Sequence, residues 1–403
     1  MAILKFQSAR ETVIEQILLR RISPPKPETV PLLDSLGRVL AEPVRADRDF
    51  PPFSRATRDG FAVRSADLAG LPAQLRLIGQ VRAGCAFSGS VGAMECVEIM
   101  TGAPVPEGAD AVVMIEYTRE HEGLIEVQRG VAPGENVVWQ GSESLQSGLL
   151  LPAGRRIGYG EIAMMAAVGQ QMVTVCRQPR VAILPTGDEV VELGVAPGPY
   201  QIRNSNSYSL QAQVASLHAI PLPLGIAPDR EDRLREMIAQ GLQADLLLLS
   251  GGVSMGKFDL VEKVLAQLEA EFFFDGVAIQ PGRPLVFGRA RGTFFFGLPG
   301  NPLSTMVTFE LFVRPTLALL AGEPAAPLIF LRARLTNQLR RKAGLTAFLP
   351  GFLEGSYHNP VVSPVEWKGS GDLPSLNRAN CYLVVPEETA EIPAGEWVSV
   401  LPR

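Results

Sequence analysis

Hydrophobic and polar positions follow two different periods along the chain, and the change falls near residue 180. Before it, apolar runs are short, rich in β-branched residues and separated by glycine turns, as in LRLIGQV, CVEIM and AVVMIEY. That pattern predicts a β-rich unit from about residue 45 to residue 147. From Pro179 onwards, apolar strands alternate with amphipathic helices, which favours βα units and a mostly parallel sheet.

Two helices can be placed from local signals. Ser8 and Glu11 have capping-box spacing before a helix that is predicted to end near residue 21. Asn301 and Pro302 open a strongly apolar helix that is predicted to extend to Leu320. The tail, 327–403, returns to short β-type runs, which predicts a small barrel or sandwich.

Composition narrows the class of protein. The chain has 403 residues, 46% of them hydrophobic and 20% charged, which suggests two or three domains with real cores. A net charge of −5 argues against a nucleic-acid surface. The four cysteines form no CxxC motif and the three histidines are isolated, so zinc sites and disulfide frameworks are not indicated. No run of 18 uncharged apolar residues and no signal peptide is visible, which predicts a soluble, cytoplasmic protein without a membrane anchor.

The first candidate site is the turn SGGVSMG, residues 250–256, which follows an apolar strand and precedes a helix. Glycines there let several backbone N–H groups point into one concavity, which suits a phosphate. A tight structural turn is the alternative, and the Gly-Lys-Ser/Thr of a Walker loop is missing.

The second candidate is an acidic set just beyond the predicted strands: Asp188, Glu189, Asp229 and Asp259. Parallel strands would bring these ends together, and several carboxylates beside phosphate-binding turns suit Mg²⁺. The alternative is that each carboxylate caps the helix that follows it, with Asp259 and Glu262 at N-cap and N3 spacing.

The third candidate combines QPGRP, residues 280–284, with LPGNPLS, residues 298–304. Arg283, Ser304 and the amides at the start of the following helix could hydrogen-bond an oxyanion, although each segment alone could be turn chemistry. Asp59-Gly60 and Thr101-Gly102 are weaker signals, because Asp-Gly is foremost a turn dipeptide.

Taken together, PTGDEVVELG, IRNSNSYSL, LLLLSGGVSMG, VAIQPGRPLVFG and GLPGNPLSTMVTFE resemble the molybdopterin molybdenumtransferase family, called MoeA in bacteria and the E domain of gephyrin in animals. The similarity extends upstream through PPFSRATRDGFAVR, IMTGAPVPEGADAVVM and LPAGRRIG, and downstream through GSGDLPSLNRANCYLVVPEE. The motifs occur in the family's order and cover nearly the whole chain.

The resemblance implies an α/β plus β fold with four parts. They are a molybdopterin-binding three-layer α/β domain (1–24 and 178–323), a connecting domain (25–44 and 148–177), a β-rich lid and dimer domain (45–147) and a C-terminal β-barrel (324–403). It also implies a homodimer in which the β-rich domain of the other subunit covers the site. The implied reaction inserts molybdate into adenylylated molybdopterin and releases AMP with the help of Mg²⁺, and a molybdopterin adenylyltransferase is an implied partner.

Site residues follow from the motifs. The resemblance implies catalytic roles for Asp59, Thr101, Glu189, Asp229 and Asp259, with Mg²⁺ held by Glu189, Asp229 and Asp259. Molybdopterin nucleotide would contact Asn204, Ser205, Asn206, Ser250, Gly251, Gly252, Ser254, Pro299, Gly300, Asn301 and Pro302. Molybdate would contact Gln280, Pro281, Arg283, Ser304 and Ser370.

The chain departs from the family at cationic positions. Gln280 stands where lysine is usual, Arg283 replaces another common lysine, and Pro350 occupies the position of an arginine. Arginine preserves the charge but changes the shape of the donor group. These departures keep alternatives from two classes open: a binding or scaffold protein that holds the pterin or nucleotide without turnover, or a different enzyme, either a tungstate-specific homologue or a divergent nucleotide hydrolase.

Overall fold

The computed structural model describes residues 3–20, 25–251 and 260–403. The chain divides into two compact units. The larger contains Met1–Val30, Ser35–Ala41 and Thr174–Arg403, and the smaller contains Pro31–Asp34 and Glu42–Val173. The boundaries of the four predicted domains remain a prediction.

Helix α1 (Phe6–Arg20) begins two residues before Ser8, so the predicted start with Ser8 as the cap was wrong. The cause is tertiary packing. The Phe6 ring lies edge-on to Phe348, with centroids 5.0 Å apart, and to Phe312 at 6.1 Å. These aromatic contacts with the core extend the helix beyond the position that local capping chemistry favours.

The β-rich part of the chain is built around one mixed sheet. Its elements are β1 (Pro27–Pro31), β2 (Val44–Arg45), β3 (Arg55–Ala56), β4 (Gly60–Val63), β5 (Ala73–Val81), β6 (Glu95–Ile99), β7 (Ala111–Met114), β8 (Thr118–His121), β9 (Leu124–Val127), β10 (Val137–Val138), β11 (Leu149–Leu151), α2 (Tyr159–Ala167) and β12 (Met172–Cys176), with 3₁₀ turns at Leu33–Ser35, Ser65–Leu68 and Ile115–Tyr117. The sheet order is β7-β4-β6-β5-β9-β8, with β5 and β6 parallel and the other neighbours antiparallel. The predicted β-rich unit is confirmed.

The α/β part follows. Its elements are β13 (Arg180–Pro185), β14 (Val190–Val191), β15 (Ile202–Arg203), α3 (Ser205–Ser216), β16 (Ile220–Pro223), α4 (Glu231–Gly241), β17 (Leu246–Ser250), α5 (Leu260–Gln267), β18 (Glu271–Phe274), β19 (Ile279–Gln280), β20 (Val286–Ala290) and β21 (Thr293–Leu298). The central sheet has the strand order β16-β13-β17-β21-β20-β18. The first four strands in this order run parallel to one another. Strand β20 is antiparallel to β21, and β18 is antiparallel to β20. The chain goes from β13 to β16 on one side and returns to β17 on the other, so the strand order reverses between β13 and β17. In open α/β sheets, ligands bind at such a switch point.

Helices cover both faces of this sheet and make three layers. Alternate residues of β13 point to opposite faces, as the period of a strand requires. Val181 and Ile183 pack in the cluster that contains residues of α1 and α3, whereas Ala182 and Leu184 pack in the cluster with residues of α4 and α5. The predicted mostly parallel three-layer α/β fold is confirmed.

The chain then enters α6 (Pro302–Thr308), which continues through a π-helical turn (Phe309–Val313) into α7 (Arg314–Ala321). The sequence predicted a helix to Leu320 without this π turn. The Arg314 amide donates to the Phe309 carbonyl, five residues earlier. The next residue, Pro315, has no amide hydrogen, so the ordinary i to i−4 ladder is interrupted here.

This long helix is a core element. Val307, Phe312 and Leu317 are buried in the cluster that contains α1. By length and composition alone Pro302–Ala321 could cross a membrane, and it is the one such helix within segments 3–20, 25–251 and 260–403. Because 67% of its most apolar stretch is buried inside the protein, the core accounts for its apolar side chains.

The C-terminal part is a closed barrel. Its elements are β22 (Leu331–Leu335), β23 (Leu339–Arg340), β24 (Thr346–Ser356), β25 (Asn359–Pro364), α8 (Leu373–Arg378), β26 (Cys381–Val385), β27 (Glu391–Ile392) and β28 (Trp397–Pro402). Strands β24-β25-β22-β28-β26 follow one another and β26 pairs back with β24, which closes five strands. Strand β19 of the α/β part pairs with β24, Gln280 opposite Ala347, and so joins the barrel to the α/β part. The predicted barrel is confirmed.

Candidate functional site

The turns that follow β13, β17 and β21 meet at the carboxyl edge of the central sheet. Pro185 lies opposite Ser250, and Ser250 lies opposite Leu298, so the three strands end in register. The Thr186 amide donates to the Ser250 carbonyl at 3.0 Å, which holds the first two turns together. The structure thus brings the TGDE, SGG and LPGNP motifs to one place, at the switch point of the sheet.

The backbone conformation at position 251, at this edge of the sheet, requires a glycine. Its φ is +89°, in the left-handed region that favours glycine. A Cβ atom at Gly251 would lie 2.6 Å from the Thr186 carbonyl oxygen, whereas one at Gly300 would meet nothing nearer than the Gly251 Cα at 3.7 Å. Gly251 therefore packs directly on the neighbouring turn at Thr186, with no room for a side chain between them.

A small pocket of about 100 Å³ opens beside this turn. Its lining includes Asn204, Ser205, Asn206, Ser250, Gly251, Gly300, Asn301 and Pro302, all predicted to contact the nucleotide. Pro299 lines the neighbouring, larger cavity, and Gly252 and Ser254 lie outside the described residues.

Three buried polar atoms of the small pocket have no hydrogen-bond partner in the described part of the chain: Thr186 Oγ1, Asn206 Oδ1 and Ser250 Oγ. Two asparagines of the pocket are engaged by side-chain hydrogen bonds. The Asn206 side-chain amide donates to the Gly300 carbonyl at 2.7 Å, and the Asn204 side chain accepts from the Ser207 amide at 3.2 Å as the cap of α3. Because a buried polar atom without a partner is costly, these three atoms suit the polar groups of a ligand.

The acidic turns lie side by side. The Asp188 carboxylate accepts from the Asp229 amide at 3.1 Å, and Thr186 pairs with Ala227. Glu189 lines both the small pocket and the large cavity, whereas Asp229 lines neither. Within segments 3–20, 25–251 and 260–403 no group of three His, Cys, Asp or Glu residues is placed to hold a metal. The remaining predicted ligand, Asp259, lies outside the described residues.

The large cavity, of about 980 Å³, lies next to the small pocket and shares Glu189, Ile202, Gly251, Gly300 and Asn301 with it. All five predicted molybdate contacts line this cavity: Gln280, Pro281, Arg283, Ser304 and Ser370. The structure therefore brings the predicted oxyanion residues together and places them beside the predicted nucleotide residues.

Two hydrogen bonds that Ser370 accepts fix the wall of the large cavity. The Asn301 side-chain amide donates to Ser370 Oγ at 2.7 Å, and the Leu303 amide donates to the Ser370 carbonyl at 3.0 Å. The sequence had suggested that amides at the start of this helix could bind an oxyanion. The Leu303 amide is bonded to Ser370 and is therefore not free for that role. Gly282, with a φ of +109°, packs between Thr308 and Ile279, where a Cβ would collide.

Two residues that line the large cavity were missed from the sequence, Lys342 and Trp367. Lys342 belongs to the run RRK just before barrel strand β24, and Trp367 precedes the GSG segment that contains Ser370. The basic run was the available signal for Lys342. An indole and an ammonium beside Arg283 add a planar apolar surface and a second positive charge.

Asp59 and Thr101 form a hydrogen-bonded corner in the smaller unit. Asp59 Oδ1 accepts from the Thr101 amide at 2.6 Å and from the Thr101 hydroxyl at 2.8 Å. Both bonds, the backbone one foremost, hold the pKa of the exposed Asp59 carboxyl below its usual range. The two residues predicted to act together are adjacent.

Three family models match the chain in succession. They are the MoeA N-terminal region (domain I and II) over residues 4–169, a probable molybdopterin binding domain over 182–319 and the MoeA C-terminal region (domain IV) over 332–402. The matched stretches follow the order and cover most of the length of the chain.

Similar proteins and structures are close to full length. The molybdopterin molybdenumtransferase of Bacillus subtilis is 34% identical over 93% of this chain and 89% of its own, and that of Haemophilus influenzae is 33% identical over 99% and 98%. A crystal structure of the molybdopterin biosynthesis MoeA protein from Pyrococcus horikoshii superposes with a TM-score of 0.82 at 29% identity and covers both chains completely. Another crystal structure of a molybdopterin biosynthesis MoeA protein, from Pyrococcus horikosii, gives a TM-score of 0.75 at 33% identity, over 100% of this chain and 99% of its own.

Proposed function

Since the chain belongs to the molybdopterin molybdenumtransferase family, we propose that it inserts molybdate into adenylylated molybdopterin and releases AMP, as a step of molybdenum cofactor biosynthesis. One observation carries the proposal: a pocket with unpaired buried polar atoms opens beside a larger cavity that contains two cations, and the two share five residues. That arrangement suits two anionic groups held next to each other.

The chemistry needs no redox partner. Two dithiolene thiolates bind molybdenum, and one oxo ligand leaves as water with two protons while the metal keeps its oxidation state. A water molecule then cleaves the pyrophosphate link, which gives AMP and the pterin phosphate. The protein contributes mainly position, because the oxyanion, the dithiolene and the pyrophosphate must be held close together.

The small pocket is the proposed nucleotide half. Thr186 Oγ1, Ser250 Oγ and Asn206 Oδ1 would exchange hydrogen bonds with the ligand, since they find no partner among the residues described. Gly251 lets the backbone approach closely, because no side chain stands between the SGG turn and the ligand. Gly252 and Ser254, which lie outside the described residues, are proposed as further contacts of the nucleotide.

The large cavity is the proposed oxyanion half. Gln280, Ser304 and Ser370 offer neutral groups there, and Arg283 offers a guanidinium. Molybdate and pyrophosphate repel each other, so positive charge is needed where the oxyanion binds. Trp367 provides a planar surface for an aromatic ring such as the pterin.

A Mg²⁺ ion would complete the site. Glu189 at the cavity and Asp229 on the adjoining turn would hold it together with Asp259 and the substrate phosphates, because Mg²⁺ prefers hard oxygen ligands and is often bound through substrate. When bound, the ion would neutralise charge that develops on the pyrophosphate.

The smaller unit is proposed to act in trans. In a homodimer, the Asp59–Thr101 corner of one copy would reach the cavity of the other, and its carboxylate stays ionised at neutral pH. A molybdopterin adenylyltransferase is the proposed source of the substrate. The proposed location is the cytoplasm, where such small-molecule chemistry needs no membrane anchor.

Turnover tests the proposal directly. The purified chain is incubated with adenylylated molybdopterin, Mg²⁺ and molybdate or tungstate, and AMP and active cofactor are measured. We expect AMP release that depends on molybdate. Release with tungstate but not with molybdate would identify tungstate as the substrate. Binding of adenylylated molybdopterin without AMP release would refute the proposed enzymatic activity. We expect E189Q to lower turnover at least tenfold, whereas E192Q, on the same loop but outside both cavities, should keep it.

Mixing two inactive variants tests the dimer. Subunits carrying D59N and subunits carrying E189Q are combined and allowed to exchange. If the sites are shared between copies, random mixing should restore roughly a quarter of the sites, because half of the dimers are mixed and each has one intact site. No recovery, with exchange shown by mass spectrometry, would place Asp59 and Glu189 of the same copy in one site.

A further inference from the structure

The ionisable side chains of the large cavity are few, and most are cations. Among the described residues that line it, Glu189, Arg283 and Lys342 are ionisable. Glu189 also lines the small pocket, whereas Arg283 and Lys342 line only the large cavity. Within the described part of its lining, the small pocket has one cation of its own, Arg203, so the large cavity, with Arg283 and Lys342, holds two of the three cations that line the two cavities.

We propose that Lys342 is an oxyanion-binding residue and that, with Arg283, it holds the molybdate dianion. This inference rests on the proposed function, since it concerns the substrate of the same cavity. Gln280 lines that cavity with a neutral amide and adds no charge. A dianion in a concave site is bound more tightly by two cations than by one, so Lys342 supplies the charge that Gln280 lacks.

Of the three basic residues in the run RRK, one is directed to the cavity. Arg340 pairs with Glu391 at 3.3 Å on the adjacent strand pair. Arg341 donates to the Val385 carbonyl at 3.5 Å and its Nε and Nη2 atoms are buried, so burial lowers its pKa. Lys342 is the member of the run that lines the cavity.

Backbone hydrogen bonds hold the loop that carries this lysine. The Gly344 amide donates to the Glu387 carbonyl at 2.6 Å, and the Thr346 amide donates to the Ala278 carbonyl at 3.0 Å. Thr346 is also paired with Ile279, next to the start of the QPGRP segment. The loop is therefore tied both to the barrel and to the segment that presents Arg283.

Lys342 is available for a ligand. Neither Lys342 nor Arg283 forms a side-chain hydrogen bond or ion pair with any residue of the described ranges 3–20, 25–251 and 260–403. Two other lysines, by contrast, are paired: Lys263 binds Glu231 at 2.7 Å, and Lys5 binds Glu387. A cation that lines a cavity without a counter-ion is suited to an anionic ligand.

Binding of molybdate alone to the full chain tests the proposal by calorimetry at low ionic strength, and it does not depend on turnover. Removing one charge-assisted contact in K342A should weaken binding roughly tenfold, and the salt dependence of the affinity should become shallower. The matched control K263A removes the same charge from an exposed helix and should bind as the wild type does. K342R should recover most of the affinity, which a purely structural role would not predict.

A relocated charge gives an independent test. In the K342A background, Q280K places an ammonium group in the same cavity and should restore most of the lost affinity. Circular dichroism and thermal unfolding of each variant confirm that it is folded.

The outcomes separate the two proposals. If the wild type binds molybdate and K342A binds it equally well, Lys342 has no role and the proposed function stands. If the wild type binds neither molybdate nor tungstate but does bind adenylylated molybdopterin, the oxyanion half of the proposed function fails and the role of Lys342 fails with it.

Discussion

Replacing Gly251 by alanine should destabilise the larger unit by about 2–5 kcal/mol, with the cost arising at the site itself. The left-handed conformation costs an alanine about 1–2 kcal/mol relative to glycine. In addition, the new Cβ would lie 2.6 Å from the Thr186 carbonyl oxygen, well inside the contact distance of about 3.5 Å. Relieving such an overlap typically costs about 1–3 kcal/mol. The Thr186 backbone is bonded to Ser250 and paired with Ala227, so it cannot move away freely.

Urea unfolding can isolate this effect. The chain has three tryptophans, and Trp139 is the one in the smaller unit, so a W139F background confines the fluorescence signal to Trp367 and Trp397 of the larger unit. The matched control is Gly300→Ala, whose Cβ would make an ordinary contact at 3.7 Å and which should change the free energy of unfolding by less than about 1 kcal/mol. Equal unfolding midpoints for the two variants would refute the steric argument.

Three further predictions follow from contacts outside the cavity. Asp245→Asn should lower the free energy of unfolding by about 1 kcal/mol, because Asp245 binds both terminal nitrogens of Arg177 at 2.8 and 3.0 Å on a partly exposed surface; urea unfolding of the same W139F background measures it. Thr101→Val removes one hydrogen bond and should raise the pKa of Asp59 towards its usual value, as seen by NMR titration of the carboxyl carbon. Since the pKa of Asp59 is lowered in the folded state, the stability difference between wild type and T101V should be present at neutral pH and should disappear as the pH falls through that lowered pKa. A thiol reagent should modify one cysteine in the native chain, the exposed Cys85, and all four after denaturation, because the other three are buried.

Local signals in the sequence were sufficient for most of the α/β part. Asn204 caps α3, as the preference of asparagine for the N-cap position would predict, and the alternation of strands and helices after residue 180 correctly indicated a parallel sheet. These features depend on spacing within one segment. The start of α1 was wrong because it depends on Phe6 packing against residues more than 300 positions away in the chain.

Two cavity residues were missed from the sequence for the same reason, because their positions depend on contacts between distant parts of the chain. Lys342 and Trp367 reach the cavity because β24 pairs with β19, β25 and β26 at once, and such non-local pairings leave no periodic trace in the sequence. The π turn has a signal in the sequence. Pro315 lies inside the predicted helix and has no amide hydrogen to donate, so it predicts an interruption there. Gly251 was assigned to phosphate binding from its motif, but its contact with Thr186 required the register of two strands.

The wall of the large cavity is contributed partly by QPGRP from the α/β part and partly by the loop before β24 from the barrel, and the two parts are joined there by the short pairing of β19 with β24. If molybdate binds in this cavity as we propose, the bound dianion would link the two parts. By linkage, ligand at a hundred times its dissociation constant adds about 2.7 kcal/mol against any opening that separates them. The small pocket lies entirely between residues 185 and 302, so nucleotide alone gives no such protection to the barrel. Without ligand, the α/β part and the barrel would then separate most easily at the large cavity. Binding of the metal oxyanion would itself hold them together.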